Sequence, residues 1–110
     1  MRRRGEYLDV QRSGKKIHLE HLLAFVVPRP GERRIGITVS RKVGKAVRRN
    51  RVKRLVREAW RHCRESIPRG FDVVLVAKRG AVEATFQDVA RQILQLGRRL
   101  KRRGPKQAAP

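Results

Sequence analysis

Positively charged side chains dominate the sequence between residues 41 and 64, where Glu58 is the only acid. On a helical wheel most of these cations lie opposite an apolar stripe, so they share one face of a predicted helix. A solvated face held by ion pairs would alternate signs at i, i+4 spacing, whereas like charges at that spacing repel each other. Arginine grips phosphate with a planar fork of donors, so the pattern predicts contact with a phosphate backbone. The candidate residues are Arg41, Lys42, Arg48, Arg49, Asn50, Arg51, Lys53, Arg54, Arg57 and Arg61.

Groups that could catalyse a reaction or hold a metal are scattered along the chain. Asp9, Asp72 and Asp88 fall on separate predicted elements, so no carboxylate cluster suits two-metal hydrolysis. The three histidines lack partners at metal-ligand spacing, and Cys63 lies in an apolar stripe typical of a small buried hydrophobe. The sequence therefore predicts no catalytic residue and no metal site in the protein.

The charge balance indicates what kind of partner the chain has. Its 110 residues include 30 Lys and Arg against 9 Asp and Glu, a formal net charge of +21. Solubility requires far less charge, and self-repulsion of this size favours a polyanionic partner. Nucleic acid and a membrane surface are both candidates, but the sequence has no transmembrane run and no signal-peptide core. We therefore expect a cytoplasmic, nucleic-acid-binding protein that does not associate with membranes.

Two helices are predicted to position the charged residues and to cover a core. The central helix has an apolar stripe at i, i+3, i+4 and i+7 spacing, formed by Val52, Leu55, Val56, Ala59, Trp60 and Cys63. A last helix begins at a capping box of Thr85 and Asp88. Its inward residues are predicted to be Phe86, Val89, Ala90, Ile93, Leu94 and Leu100.

The remaining pattern predicts a short first helix and a small sheet. Residues 5–13 could form the helix, residues 16–19 a minor strand, and residues 21–27 and 34–40 two strands of an antiparallel hairpin. The apolar run at 72–77 is typical of a strand buried on both faces. The order α-β-β(-β)-α-β-α predicts an α+β fold whose helices cover one face of a mainly antiparallel sheet. We expect one domain over residues 1–103 and a disordered tail over 104–110.

The type of nucleic acid is a separate question that composition does not decide. A DNA reader usually shows a helix-turn-helix pair, zinc ligands or zipper heptads, and none of these motifs is recognisable in the sequence. A sheet with a few aromatic residues beside a basic helix is more typical of RNA binding.

The segment 36–61 closely resembles the signature of the ribonuclease P protein component. That family opens its central helix with an Arg-Asn-Arg motif, which corresponds here to Arg49, Asn50 and Arg51. Lys53, Arg54, Arg57 and Glu58 follow at the family's spacing, and segments 6–14 and 72–80 resemble the first helix and a later strand. The resemblance covers residues 3–100, although Gln11 stands where many members carry an aromatic residue.

The resemblance implies a fold and a function beyond what the residues alone predict. The fold would be of the ribonuclease P protein type, with a left-handed crossover around the central helix. The protein would be a subunit of an endoribonuclease that removes the 5′ leader of precursor tRNA. The catalytic RNA would perform the hydrolysis with magnesium, and the protein, a monomer in a 1:1 complex with that RNA, would carry no cofactor and no activity alone.

The resemblance also divides the candidate residues between two RNA surfaces. Those matching leader-binding positions are Tyr7, Phe25, Arg49, Asn50, Lys53 and Arg57, and those assigned to the catalytic RNA are Arg41, Lys42, Arg51 and Arg54. Ordinary core packing remains an alternative for Tyr7 and Phe25, and helix capping for Asn50. At the level of function, a ribosomal or other structural RNA-binding protein and a nuclease acting alone remain alternatives.

Overall fold

The apolar segments of the chain form one four-stranded sheet and two α-helices in the computed structural model, which describes residues 14–29, 31 and 33–103. The strands are β1 (Lys15–His18), β2 (Leu22–Pro28), β3 (Arg33–Val39) and β4 (Phe71–Ala77). The helices are α1 (Ala46–Cys63) and α2 (Phe86–Arg103). Short 3-10 turns occupy Arg41–Val43, Arg64–Ser66 and Arg79–Glu83. The helix predicted at 5–13 and the tail predicted at 104–110 lie outside the described residues.

The sheet order is β1-β2-β4-β3, so the predicted hairpin of β2 with β3 is wrong. β4 lies between these two strands and pairs antiparallel with β2 and parallel with β3. The physical reason lies in burial, since β4 is apolar on both faces and is buried along nearly its whole length. A central position in the sheet covers such a strand better than an edge does. The connection between the parallel strands β3 and β4 runs through α1, and the left-handed sense that the resemblance implied for this crossover stays a prediction.

The two faces of β2 contribute to different clusters. Ala24 and Val26 belong to the main core, which also contains the buried residues of both helices. Phe25 packs with Val74 on the opposite face. Both described helices therefore lie on the same face of the sheet, as predicted.

The apolar stripe predicted for α1 is confirmed. Val52, Val56, Ala59 and Trp60 are buried, and Leu55 and Cys63 are partly buried against the same core. Burying this stripe leaves the opposite face of α1 for the charged residues, which is how the core positions the candidate site.

The capping box predicted for α2 is present, but the buried stripe differs from the predicted one. The Thr85 N–H donates to Asp88 Oδ2 at 3.0 Å, and the Asp88 N–H donates to Thr85 Oγ1 at 3.1 Å. Phe86 and Leu94, both predicted to face inward, are 37% and 40% exposed. Leu96, which the prediction omitted, is fully buried, and so is the polar Gln92.

Gln92 is tolerated in the core because His21 satisfies its amide. The His21 backbone N–H donates to Gln92 Oε1 at 2.8 Å, and Gln92 Nε2 lies 2.7 Å from His21 Nδ1. A buried amide with its hydrogen bonds made avoids the cost of an unsatisfied polar group. The contact therefore anchors α2 to the turn between β1 and β2.

Asp72 in the central strand β4 forms ion pairs with arginines of both neighbouring segments, Arg34 in β3 and Arg29 just after β2. Its fully buried carboxylate accepts from Arg34 at 2.9 and 2.7 Å and from Arg29 Nε at 2.5 Å. Burial acts to raise the pKa of Asp72, but the hydrogen bonds and positive charges of Arg34 and Arg29 outweigh it and hold that pKa below its ordinary value. Asp72 is therefore a structural ion-pair residue.

Candidate nucleic-acid interface

The N-terminus of α1 has no acidic side chain in its first turn to neutralise the surrounding cations. Ser40 Oγ accepts the Lys42 N–H at 3.2 Å in the connector, and Gly44 then turns the chain with a φ of 134° that favours glycine. Lys45 is the N-cap and makes no side-chain capping bond, and the first turn of the helix contains no acid. The free N–H groups and the positive end of the helix dipole therefore add to the cations around them.

Asn50 is not the cap of this helix. The helix begins at Ala46, which places Asn50 in the second turn with an exposed side chain. The capping alternative for Asn50 is therefore wrong, and its amide is available for other contacts.

The charged face predicted for α1 is exposed. Arg49 and Arg61 are the two members whose surroundings differ from the rest, since Arg49 is half-buried and Arg61 pairs with Glu58. Glu58 Oε1 also lies 3.7 Å from His62 Nε2. Within residues 33–103 no acid pairs with the other cations of this face, and the exposed candidates are Arg41, Lys42, Arg48, Asn50, Arg51, Lys53, Arg54 and Arg57.

Three adjoining depressions cross this face of α1. The first, of about 310 Å³, lies between the end of β3 and α1 and includes Thr38, Asn50 and Lys53. The second, of about 290 Å³, is lined by Asn50, Lys53, Arg54 and Arg57. Shared lining residues join each depression to the next, because Arg54 also lines the third, of about 640 Å³. The predicted residues of α1 therefore form one continuous cationic surface.

Among the candidate residues that the structure describes, Arg49 has an unmet hydrogen-bonding requirement. Its Nε is buried and has no hydrogen-bond partner among the residues that the structure describes. The side chain lines the first depression, beside Asn50 and Lys53. A buried donor without an acceptor costs about 1–3 kcal/mol. An anionic oxygen entering this depression would remove that cost.

The aromatic candidates are placed differently from the cations. Phe25 is 8% exposed and lies on the sheet face away from the helices, where Lys16 Nζ is 5.9 Å from its ring centroid. The prediction missed Lys16, although its place one strand away from Phe25 in an alternating pattern was a usable signal. Tyr7 lies outside the described residues, so its role stays a prediction.

Chemistry other than cation-mediated binding has little support among these residues. In the described part of the chain, no three His, Cys, Asp or Glu side chains are grouped so that they could hold a metal ion. Burial raises the pKa of the Cys63 thiol, which makes it a poor nucleophile. Over the same part of the chain, neither helix has the length and apolar character needed to cross a bilayer.

The fold and this surface define a small basic α+β protein with a cationic central helix, and comparisons identify the family. The family model described as Ribonuclease P matches residues 1–101. The ribonuclease P protein component of Desulfovibrio desulfuricans is 50% identical over 99% of this chain and 88% of that protein. The one from Clostridioides difficile is 36% identical over 90% of this chain and 89% of that protein. The chain belongs to the ribonuclease P protein component family.

Solved structures agree with this assignment. The ribonuclease P protein of Thermotoga maritima superposes with a TM-score of 0.79 at 34% identity, covering 90% of this chain and 94% of that one. The protein from Staphylococcus aureus has a TM-score of 0.74 at 21% identity, over 92% and 93% of the two chains, and shows the shared fold. The α+β fold predicted from the sequence is confirmed.

Proposed function

We propose that this protein binds the catalytic RNA of ribonuclease P and the 5′ leader of precursor tRNA, and so assists removal of the leader. Membership of the family makes the protein a subunit of ribonuclease P, a ribonucleoprotein of tRNA processing. The observation that carries the finer proposal is the continuous cationic surface of α1. Such a face favours RNA binding because its Lys and Arg side chains replace the cations condensed on the RNA phosphates and release them to solution.

The leader is proposed to lie along the depression between β3 and α1. Arg49, Asn50 and Lys53 line it, and Arg49 Nε, which has no partner among the described residues, provides a donor for a phosphate oxygen. Arg57 extends the same surface in the next depression. Phe25 and Tyr7 are also proposed to contact the leader. Phe25 exposes 8% of its surface for such a contact.

The remaining cations are proposed to hold the catalytic RNA. Arg41 and Lys42 are exposed in the connector before α1, and Arg51 and Arg54 are exposed on the helix itself. Arg48 and Arg61 add to this surface, although Arg61 shares its charge with Glu58. In this proposal one protein monomer binds one catalytic RNA, and the complex works in the cytoplasm.

Hydrolysis is proposed to belong to the RNA and its magnesium ions. The described residues offer no group of ligands that fits a metal ion, and Asp72, the buried carboxylate, is bound by two arginines. The chain's own contribution is to hold phosphates of both RNAs and to neutralise charge where they meet, which lowers the magnesium needed for assembly.

A processing assay at low magnesium tests this function. The purified protein, added to its cognate catalytic RNA and a precursor tRNA, should accelerate release of the leader at magnesium concentrations where the RNA alone is slow. Protein without the RNA should cleave nothing. An unchanged rate with RNA present would overturn the proposal, and cleavage by the RNA-free protein would instead support the nuclease alternative.

A ribosomal or other structural role predicts a different partner. Affinity purification of the protein from cells should recover the catalytic RNA in stoichiometric amount. Recovery of ribosomal subunits in its place would favour the alternative.

A further inference from the structure

A groove at one edge of the cationic face of α1 has a lining unlike the rest of that surface. This groove, the third depression described above, has a volume of about 640 Å³ and lies between α1, the turn Arg79–Glu83 and the start of α2. Its floor is apolar and includes Leu55 and Val82, both partly buried against the core. The exposed ring of Phe86 forms part of one wall.

We propose that this groove binds a single unstacked base of the RNA. The inference rests on the proposed function and adds to it a site that reads a base rather than a phosphate. Pockets for small ligands have volumes of about 300–1000 Å³ and combine apolar walls with a few polar groups. A base stacked on an aromatic ring is a common element of single-strand RNA recognition.

The exposure of Phe86 is the first argument for a base. Phe86 is 37% exposed although it belongs to a helix whose other side is fully buried. The ring of His62 packs edge-on against it, with 5.5 Å between centroids and 88° between planes, which holds the Phe86 side chain in place. A fixed and exposed aromatic ring loses little conformational entropy when a base covers it.

The polar groups of the groove supply the second argument. Arg51, Arg54 and Glu58 lie on its α1 side. Glu58 pairs with Arg61, and no acid among the described residues pairs with Arg51 or Arg54. They are placed to hold the phosphates that flank a base. Glu83 is also exposed on the wall, and a carboxylate there repels phosphate but accepts hydrogen bonds from base amino groups. The combination therefore favours a base carrying an exocyclic amino group in the groove, with its phosphates on the arginines.

Continuity with the proposed RNA surface supplies the third argument. Arg54 lines both this groove and the neighbouring cationic depression. An RNA strand that follows α1 therefore reaches the groove without leaving the protein surface.

Phe86→Leu tests the proposal in the complex with the catalytic RNA, because leucine keeps an apolar side chain and removes the ring. Affinity for the RNA should fall about five- to thirtyfold, as expected when one base can no longer stack on an aromatic ring. The salt dependence should stay unchanged, because stacking releases no counterions. Phe86→Tyr, which keeps the ring, should restore the affinity. Wild-type affinity in Phe86→Leu would overturn the proposal, whereas failure of the wild-type protein to bind the RNA would overturn the proposed function.

Glu83→Gln separates base recognition from phosphate binding by the sign of its effect. Binding should weaken about three- to tenfold, because a neutral amide is a poorer acceptor for a base amino group. A phosphate in contact with Glu83, in place of the base, would give the opposite result, since removal of the negative charge would strengthen its binding. Stronger binding would therefore overturn the proposal.

Ultraviolet crosslinking of the complex, followed by tryptic digestion, locates the base directly. Cleavage after Arg79 and Arg91 yields a peptide that contains Phe86 and excludes Leu94. This peptide should carry a crosslinked nucleotide in the wild type and lose it in Phe86→Leu. The matched control is Leu94→Phe, which places a ring on the same helix outside the groove and should gain no crosslink. Reactions with and without precursor tRNA show which RNA provides the base, and no crosslink in either would overturn the proposal.

Discussion

The helical backbone at Gly97 of α2 packs directly against Ser66, in the turn that follows α1. A Cβ atom added at Gly97 would overlap the Ser66 backbone oxygen and lie 3.0 Å from its carbonyl carbon. Glycine in the middle of a helix costs about 1 kcal/mol relative to alanine, so its presence requires a compensating reason. Close approach of α2 to the end of α1 provides it.

Replacing Gly97 with alanine should therefore destabilise the protein. Overpacking against a backbone group costs about 1–3 kcal/mol and outweighs the gain in helix propensity. Urea unfolding should show a net loss of about 1–2 kcal/mol. The matched control is Gln95→Ala, at an exposed position of the same helix, which should leave stability unchanged or slightly raised. A stabilised Gly97→Ala variant would show that the two segments can separate freely.

Stability should fall in acid partly through Asp72. Its pKa in the folded state is below the ordinary value of about 3.9, so its contribution is present above pH 4 and is lost as pH falls through the lowered pKa. Asp72→Asn should be less stable near pH 7 by about 1–3 kcal/mol, because Arg34 and Arg29 lose their charged acceptor. The difference between the two proteins, measured by urea unfolding from pH 7 to pH 2.5, should shrink toward the acid end. A constant difference would contradict the ion-pair role.

Arg54 and Arg57 should each bind phosphate. Replacing either with alanine should weaken binding to the catalytic RNA across RNA sequences and reduce the salt slope by about 1 for each phosphate that the variant no longer neutralises. Arg91→Ala is a suitable control, because Arg91 lies on α2 and already pairs with Glu20 and Asp88 at 3.4 and 3.5 Å. An unaltered slope in both α1 variants would argue against phosphate at this surface.

Arg49→Met should separate stability from RNA binding. Methionine matches the apolar stem of arginine and removes the buried Nε that has no partner among the described residues, so stability should stay constant or rise by about 1 kcal/mol. Affinity for RNA should nevertheless fall about three- to tenfold, with a salt slope smaller by about 1. Arg48→Met, a change at the exposed neighbour, should weaken RNA binding without raising stability. Reduced stability of Arg49→Met with unchanged affinity would assign Arg49 to the fold.

The helix α1 and its two faces could be predicted because they depend on local periodicity. The buried residues Val52, Val56 and Trp60 recur at helical spacing, and the cations between them then fall on the other face. The capping box of Thr85 and Asp88 is equally local, since its two hydrogen bonds span three residues. The exposure of Arg51 and Arg54 follows from the helical spacing of α1, but their assignment to RNA rests on charge and family resemblance.

The face of α2 was harder to predict because its buried stripe includes a polar residue, Gln92. Counting apolar residues placed Phe86 and Leu94 inward, whereas the helix turns Leu96 and Gln92 into the core. His21, 71 positions away from Gln92 along the chain, satisfies the buried amide. No periodicity in the sequence contains that partnership.

The sequence by itself determined which of the described segments are helix or strand and which face of α1 is cationic, because hydrophobic spacing and charge are properties of neighbouring residues. Tertiary structure alone decided that β4 inserts between β2 and β3, that Gly97 meets Ser66, and that the depressions along α1 join. These arrangements depend on burial of whole elements against one another. Strand β4 occupies the centre of the sheet since both of its faces are apolar, and that preference is satisfied only when the chain has folded.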